Sequence, residues 1–546
     1  MRGSGEGPLK EKASYILAHD LGTTGNKSCV YRIGEQIELV DSSLVEYPLI
    51  TTPDGGAEER ADDWWNAVCT ATRAIIGRTG IHPSSVGGMA FCCQLQGSVM
   101  VDGDGTALRN PMIYLDGRAT AQMERYLYNG LLKIDKWNAY KTIRSLMITG
   151  GLAGTAKDPL WKYHWVRENE PEIFRRVHRW LDVKDYLVHR ATGNFAMTCD
   201  SAHLTWVYDT RPGKLEWSRA MCSMFEVDMR HLPPVIKSTD VAGTLTGRAA
   251  DEMGLIPGIP VFGGGGDTSL ISIGSGCLDP YDTHIYVGTS GWVASNVNRR
   301  MVDVGNFVAS ILGAIPGGYL YVAEQETSGI CLQWFRDHLA LDEIGVYLNA
   351  RDVCCDADSV YQSLYQFLNE VVAQTEPGAG NVIFTPWLHG NRSPREDAYA
   401  RGMFFNLSLS TGKRQLVRSV LEGGAFHARW MLEAVERKVP RRESLRFVGG
   451  GAKSDEWCQI MADVTGRKIE TIENTQNAGT IGAAVVCAVG LGQIDSFGAA
   501  KPLIPVKEVF MPRGEYRDMY DRNFGVFKDL YHRNKKLFRR LNDRER

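Results

Sequence analysis

The sequence predicts an α/β fold in which two like-folded lobes face one another across a cleft. Three observations carry that expectation. Tyr15–Ala18 reads as a strand that passes through His19-Asp20 into the turn Leu21-Gly22-Thr23-Thr24-Gly25. In the other half of the chain, Thr283–Val287 reads as a strand emptying into Gly288-Thr289-Ser290-Gly291, an echo of the first turn. An internal echo marks a repeated unit, and two facing units enclose a concave site. Between them Pro260-Val261-Phe262 opens into Gly263–Gly266 and delivers one carboxylate, Asp267. Residues without a Cβ let another group approach the backbone closely.

Size and composition fit two large domains: the chain has 546 residues, 44% of them hydrophobic. A net charge of -3 argues against nucleic acid or an anionic membrane as the main partner. Twelve cysteines without a C-x-x-C pair support neither a zinc ribbon nor a disulfide framework, so buried thiols in a reducing compartment are expected. Residues 1–14 lack an apolar core and read as a flexible leader, not a signal peptide. Gly479–Gly492 is too short and glycine-broken to span a bilayer, so a cytoplasmic protein is expected.

Along the chain, Ser28–Arg32 and Ile37–Val45 supply further strands. A strand, Asp20, a Gly-Thr-Thr-Gly hairpin and a second strand can form a phosphate cradle from backbone N–H groups and hydroxyls. Asp20 suits a Mg²⁺ shell and Lys27 a phosphate oxygen; an Asx-type turn binding nothing is the competing reading. Asp62-Asp63 are placed to cap a helix carrying Trp64, Trp65, Val68, Ile75 and Ile76. Val86–Phe91 reads as a strand whose carboxyl end carries Gln94-Leu95-Gln96-Gly97, where α/β sheets bind ligands. Gln94 and Gln96 offer donors and acceptors to a polyhydroxylated molecule, or form a solvated loop.

Asn110–Ala121 is expected as a strand followed by a helix start with Arg118 in its first turns. Helices are expected over Asp158–Glu168 and Trp180–Thr192. Others follow at Ser328–Leu339, Ser359–Gln374 and Leu416–Arg437. Leu445–Val448 reads as a strand opening into Gly449-Gly450-Gly451-Ala452, where a flat ring can lie on the backbone. Tyr516–Arg546 reads as a helix with Phe524, Phe527, Leu530, Tyr531, Leu537 and Leu541 as its apolar stripe. No G-x-x-x-x-G-K-[ST], H-E-x-x-H or G-x-S-x-G occurs, and no G-x-G-x-x-G in a strand-helix setting.

Taken together these segments resemble the FGGY family of carbohydrate kinases, in its xylulokinase-like branch. The resemblance runs from Tyr15 to Gly492. It rests on Asp20–Lys27, Val183–Leu187 with Thr192-Gly193, Thr198–Ala202, Leu232-Pro233-Pro234 and Val241–Leu245. It continues through Gly265-Gly266-Asp267, Gly288-Thr289-Ser290, Ala400-Arg401-Gly402 and Gly449–Ala452. It implies two ribonuclease-H-like domains of the actin, hexokinase and Hsp70 type with a cleft between them. The implied division is a leader over 1–14, an N-terminal domain over 15–278, a C-terminal nucleotide-binding domain over 279–500 and a helical extension over 501–546.

The resemblance implies ATP and Mg²⁺ as cofactors and a small sugar as partner, with a homodimer left open. Asp20 is then the aspartate of the phosphates and of Mg²⁺, held through water, with Thr23, Thr24 and Lys27 in its hairpin. Thr289 belongs to the second phosphate loop, Gly450, Gly451 and Asp455 to the adenosine turn, and Gly329 to the helix start beside it. Asp267 is the catalytic base, and Gln94, Leu95, Gln96, Asp267 and Thr268 face the sugar.

Two departures fall on the sugar side. The family's Gln-Met-His-Gly reads Gln94-Leu95-Gln96-Gly97 here, and Thr268 stands where Asn usually follows the aspartate. Asn391-Arg392-Ser393-Pro394 also replaces a more usual Glu-Arg-Thr-Pro. The expected activity is γ-phosphoryl transfer from ATP to a hydroxyl of a ketopentose such as xylulose, or of a related keto sugar or polyol. The alternatives are an actin- or Hsp70-like ATPase and a sugar-sensing protein without catalysis.

Overall fold

The computed structural model describes residues 15–134, 136–340 and 366–543. The first sheet is built from β1 (Tyr15–Leu21), β2 (Gly25–Ile33), β3 (Ile37–Glu46), β4 (Val86–Cys93), β5 (Val241–Thr244), β6 (Pro260–Phe262) and β7 (Gly265–Gly266). Its order is β5-β6-β4-β1-β2-β3, with β7 also on β4. β3, β2 and β1 run antiparallel, β1 and β4 parallel, and β6 and β7 join β4 parallel. β3 alternates half-buried and exposed residues, as a strand with one wet face does, whereas β1 and β4 are apolar and covered on both faces.

The second sheet comprises β8 (Thr283–Val287), β9 (Gly291–Val297), β10 (Val302–Asp303), β11 (Val308–Leu312) and β12 (Tyr319–Gln325). It is completed by β13 (Ser444–Val448), β14 (Lys468–Ile472) and β15 (Val506–Phe510). The order β10-β11-β12-β9-β8-β13-β14-β15 contains the first sheet again. Three antiparallel strands (β12, β9, β8) are followed by two parallel ones (β13, β14) and an antiparallel edge. β8 therefore corresponds to β1, and β13 to β4. The lobes predicted from two similar turns are repeats of one topology.

Of the helices, α1 (Ala61–Thr79), α2 (Val183–Thr192) and α3 (Cys199–Leu204) belong to the first half, and α4 (Asp267–Gly274) follows β7. The second half carries α5 (Gly329–Phe335), α6 (Lys413–Val435), α7 (Asp455–Thr465), α8 (Ala478–Gly490) and α9 (Arg517–Asn542). α4 and α8 lie between the sheets, in a core that joins Ala18, Cys92 and Phe262 of the first to Trp292, Ala294 and Val448 of the second. Their backbones nearly touch: a Cβ at Gly274 would strike the Ala478 carbonyl, and one at Gly482 the Leu270 carbonyl. The segment between β4 and β5 adds a core of its own around Trp161, Tyr163, Trp180 and Phe225.

Several local expectations change. Asp62 and Asp63 sit in the first turn of α1 with Arg60 as its N-cap, so they complement the helix dipole without capping it. Residues 110–118 form no strand. Asp116 accepts from the Ala57 N–H at 2.9 Å and pairs with Arg118 at 2.7 Å, which pins the segment before the helix Thr120–Leu127. Trp180–Thr192 splits into the strand Arg179–Leu181 and α2, because Asp182 caps the helix between them. The Ser328–Leu339 helix turns at Arg336 into wider π-type winding. The expected helix over 359–374 lies partly outside the described residues, with 366–373 helical, and the leader 1–14 lies wholly outside them. On α9 Phe538 is buried, while Leu537 and Leu541 face solvent, one residue off the stripe that Phe527 and Tyr531 define.

Candidate active site

The site grows from the carboxyl ends of β1, β4 and β7. Strand register sets Asp20 level with Cys92 on β4, and Cys92 level with Gly265 on β7. Asp267 begins α4 two residues later, so both carboxylates stand at one sheet edge where parallel strands end. Lys27 lies opposite Asp20 on β2, and its charge partly offsets the burial that pushes the Asp20 pKa up. Lys27 Nζ donates to the Gln476 carbonyl at 3.0 Å, reaching into the second lobe just before α8. Thr23 Oγ1 donates to the Tyr114 hydroxyl at 3.3 Å, and Thr24 lies exposed at the tip of the hairpin.

Asp267 is held from behind. Gly266 N–H donates to Asp200 Oδ2 at 2.7 Å, while Asp200 Oδ1 accepts from the Thr198 hydroxyl at 2.5 Å and the Ser201 N–H at 3.0 Å. The Asp267 carboxylate accepts from the Thr268 N–H at 2.7 Å and the Thr268 hydroxyl at 3.2 Å. Thr268 thus serves the carboxylate. Burial raises the Asp267 pKa to about 7, with the negative charges of Asp20 and Glu324 adding to the shift and the Thr268 hydrogen bonds opposing it.

The predicted sugar loop divides by function. Leu95 is 7% exposed and lies against Gly266, where any Cβ would strike it. Gln94 is buried: its backbone N–H donates to the Leu21 carbonyl at 2.9 Å and its side chain to Glu59 at 2.9 Å. Glu59, which also accepts from Trp64 at 2.7 Å, has its pKa pushed up to about 8 by burial. Gln96 sits at φ 64, and its side chain donates to Asp158 at 3.4 Å. Asp182 shapes the turn by accepting the N–H groups of Gln96 at 3.0 Å and Gly97 at 2.8 Å. Lys162 is fully buried and donates to the Gln96 and Ile113 carbonyls at 2.8 and 2.6 Å. Asp158 also accepts from Trp206 at 2.8 Å. On the facing lobe Glu326 pairs with Lys157 at 3.3 Å, and Glu324 with Arg392 at 2.8 Å.

The predicted nucleotide residues gather at the carboxyl ends of β8 and β13, which pair in parallel with Tyr286 level with Val448. Thr289 is exposed at the β8–β9 turn, and its carbonyl accepts the Ser328 N–H at 3.0 Å. Gly329, the first residue of α5, donates to the Gly288 carbonyl at 2.8 Å. Of the glycine run, Gly451 is packed on Val287 and Trp457, whereas a Cβ on Gly450 would meet nothing within 4 Å. Gly450 alone is thus an open floor of the kind a flat ring can cover. Asp455 is exposed in the first turn of α7 beyond it.

Sequence reasoning did not assign Asp158, Asp182 or Asp200. The signals were present: Asp182 precedes the Val183–Leu187 helix motif as a cap residue would, and Asp200 lies inside the Thr198–Ala202 motif. The hydrogen bonds that give them their work cross 62 to 86 residues of chain.

Two repeated lobes with a carboxylate pair at one sheet edge and an open glycine floor at the other are the architecture of a two-lobed phosphotransferase. Family-level comparison makes the assignment specific. The N-terminal domain of the FGGY family of carbohydrate kinases matches residues 15–274, and its C-terminal domain matches residues 284–491. The chain belongs to the FGGY family of carbohydrate kinases and is an ATP-dependent carbohydrate kinase. It is 28% identical over 522 residues to the xylulose kinase of Staphylococcus epidermidis, covering 94% of this chain and 95% of that one. With the xylulose kinase of Bacillus subtilis it shares 26% over 518 residues, or 94% and 96% of the two chains. In fold it is similar to the gluconate kinase of Lactobacillus acidophilus (TM-score 0.81, 22% identity, 96% and 99% covered). Plasmodium falciparum glycerol kinase with ADP gives a TM-score of 0.75 at 18% identity, covering 95% and 98%. Among the described residues no helix is long and apolar enough to cross a membrane.

Proposed function

We propose that this kinase phosphorylates a neutral keto sugar or polyol, a ketopentose such as xylulose foremost, with Asp267 as the base. The observation that carries this reading is the placement of Asp267: it begins α4 directly after β7, whose Gly265 is level with Cys92 and so with Asp20 across β4, and the Gly266 N–H bond to Asp200 fixes that start. Burial, which raises its pKa to about 7, agrees with a base near neutrality. Phosphoryl transfer has a loose transition state, so positioning and neutralisation of charge supply most of the rate. Asp267 orients the attacking hydroxyl and takes its proton; Thr23, Thr24, Lys27 and the Thr289 turn hold the phosphates; Gly329, Gly450, Gly451 and Asp455 receive the adenosine.

Mg²⁺ fits the donor set. Among the described residues no three His, Cys, Asp or Glu side chains form a cage, and the carboxylate that leads into the phosphate hairpin is Asp20. A single carboxylate with phosphates and water completing the shell is how Mg²⁺ is commonly held. When bound it neutralises phosphate charge.

The preference for a neutral acceptor follows from charge. Asp158, Asp267, Glu324 and Glu326 lie on this reading around the sugar; of the cations beside them, Lys157 and Arg392 each pair with a carboxylate, and Lys162 is buried on the Gln96 and Ile113 carbonyls. A substrate carboxylate would add repulsion without gaining a free cation. ADP release should be measured over ketopentoses, pentitols, glycerol and gluconate. Stimulation by a neutral ketose or polyol supports the reading; stimulation by gluconate alone overturns it.

A further inference from the structure

Tyr286 occupies in the second lobe the place that Asp20 occupies in the first. Each residue stands two positions before the Gly-Thr of its turn, Gly22-Thr23 or Gly288-Thr289, and each lies near the end of the equivalent strand, β1 or β8. The charges of Asp20 and Asp267 both bear on the Tyr286 phenol, as does Tyr114 from the first lobe.

The ring is clasped. It stacks on Trp292 with centroids 3.9 Å apart and planes 19° from parallel, and the Trp292 indole is itself tied to His284 at 3.0 Å. A Cβ on Gly449 would come within 2.9 Å of the ring, and a Cβ on Gly288 would strike its hydroxyl. The phenol therefore lies over the backbone of the second phosphate turn, beside the glycine floor. Its hydroxyl has no hydrogen-bond partner among the described residues. A rigidly held phenol with an idle donor, lying over the Gly288 turn and beside Gly449, suits an oxygen acceptor on a nucleotide held at those turns.

We propose that the Tyr286 hydroxyl donates a hydrogen bond to the terminal phosphate of ATP, steadying it from the second lobe while Asp267 presents the sugar hydroxyl from the first. The assignment rests on the reading of Thr289 and Gly450 as the nucleotide site. A fixed neutral donor at this point stabilises charge on the transferring group without reorganising.

The test is the full chain carrying Tyr286→Phe, which keeps the ring and its stacking on Trp292. Binding of ADP and of a non-hydrolysable ATP analogue is measured by calorimetry with Mg²⁺ present. The analogue should weaken about ten- to hundred-fold, the loss for a hydrogen bond to a charged acceptor, while ADP stays within about two-fold. Equal effects on both nucleotides, or none on either, would overturn the assignment. Gly450→Val, whose side chain enters open space, reports on the nucleotide site separately: it should abolish binding of both. Unaltered ADP binding there would overturn the site reading and the Tyr286 contact with it.

Discussion

The backbone N–H of Gly266 donates to Asp200 Oδ2 at 2.7 Å, and this bond sets where α4 begins. Asp200 is immobilised by the Thr198 hydroxyl and the Ser201 N–H, and Leu95 presses on the other side of Gly266. Asp267 follows directly, so its position depends on a carboxylate whose own hydrogen bonds go to Gly266, Thr198 and Ser201. Asp200→Ala should lower kcat about 100-fold through misplacement of the base, with ADP affinity unchanged. Steady-state kinetics beside ADP calorimetry would check it; a variant with normal kcat would remove Asp200 from this role.

The pH dependence follows from Asp267, whose pKa is raised to about 7. With Asp267 as the proposed base, transfer needs its carboxylate, so kcat/KM should climb as pH rises through about 7 and level off above it. Stability moves in the opposite direction. Folded Asp267 holds its proton across a window where the unfolded residue has lost it, from the usual 3.8 up to about 7. Its contribution therefore falls as pH rises through that window and stays low above it. Asp267→Asn should melt a few degrees higher than the native chain at pH 8, with the difference vanishing near pH 4. Thermal scans at the two pH values test this.

Gly479 is the second residue of α8, and a Cβ there would sit 2.5 Å from Asp20 Oδ2 and 2.9 Å from Cys92 Sγ. Neither neighbour can retreat, because β1 and β4 lie in the middle of the sheet. Gly479→Ala should displace Asp20 and cut kcat by at least about ten-fold, with a raised Mg²⁺ requirement. Activity titrated against Mg²⁺ reads both effects.

Asp158 holds the Gln96 side chain and the Trp206 indole on the sugar side. Asp158→Ala frees both donors, so the sugar KM should rise about ten-fold while ADP binding holds. A rise in the ATP KM instead would place Asp158 elsewhere in the reaction.

Much of the architecture was legible because it is written in short local patterns. Gly22–Gly25 and Gly288–Gly291 announced the repeat, and each lies at a hairpin between its first two strands. The pairing of Tyr286 with Asp20 was hidden because the echo was read in the turns, while strand order makes the residues before them equivalent. Gln94, Leu95 and Gln96 were all expected to face the sugar, yet packing ties Gln94 to Glu59, Leu95 to Gly266 and Gln96 to Asp158. Thr268 stood out as an unusual neighbour of Asp267; its hydroxyl turns back to the carboxylate, a contact that residue type alone does not fix.

The measurement closest to the central claim is sugar-dependent ADP release by the native chain and by Asp267→Asn, with ADP affinity measured on both. The account predicts turnover that a neutral ketose or polyol stimulates and that falls at least about 1,000-fold in Asp267→Asn, a scale consistent with losing both the base and the orientation it imposes. ADP should bind both proteins equally. Undiminished sugar phosphorylation by Asp267→Asn would contradict it.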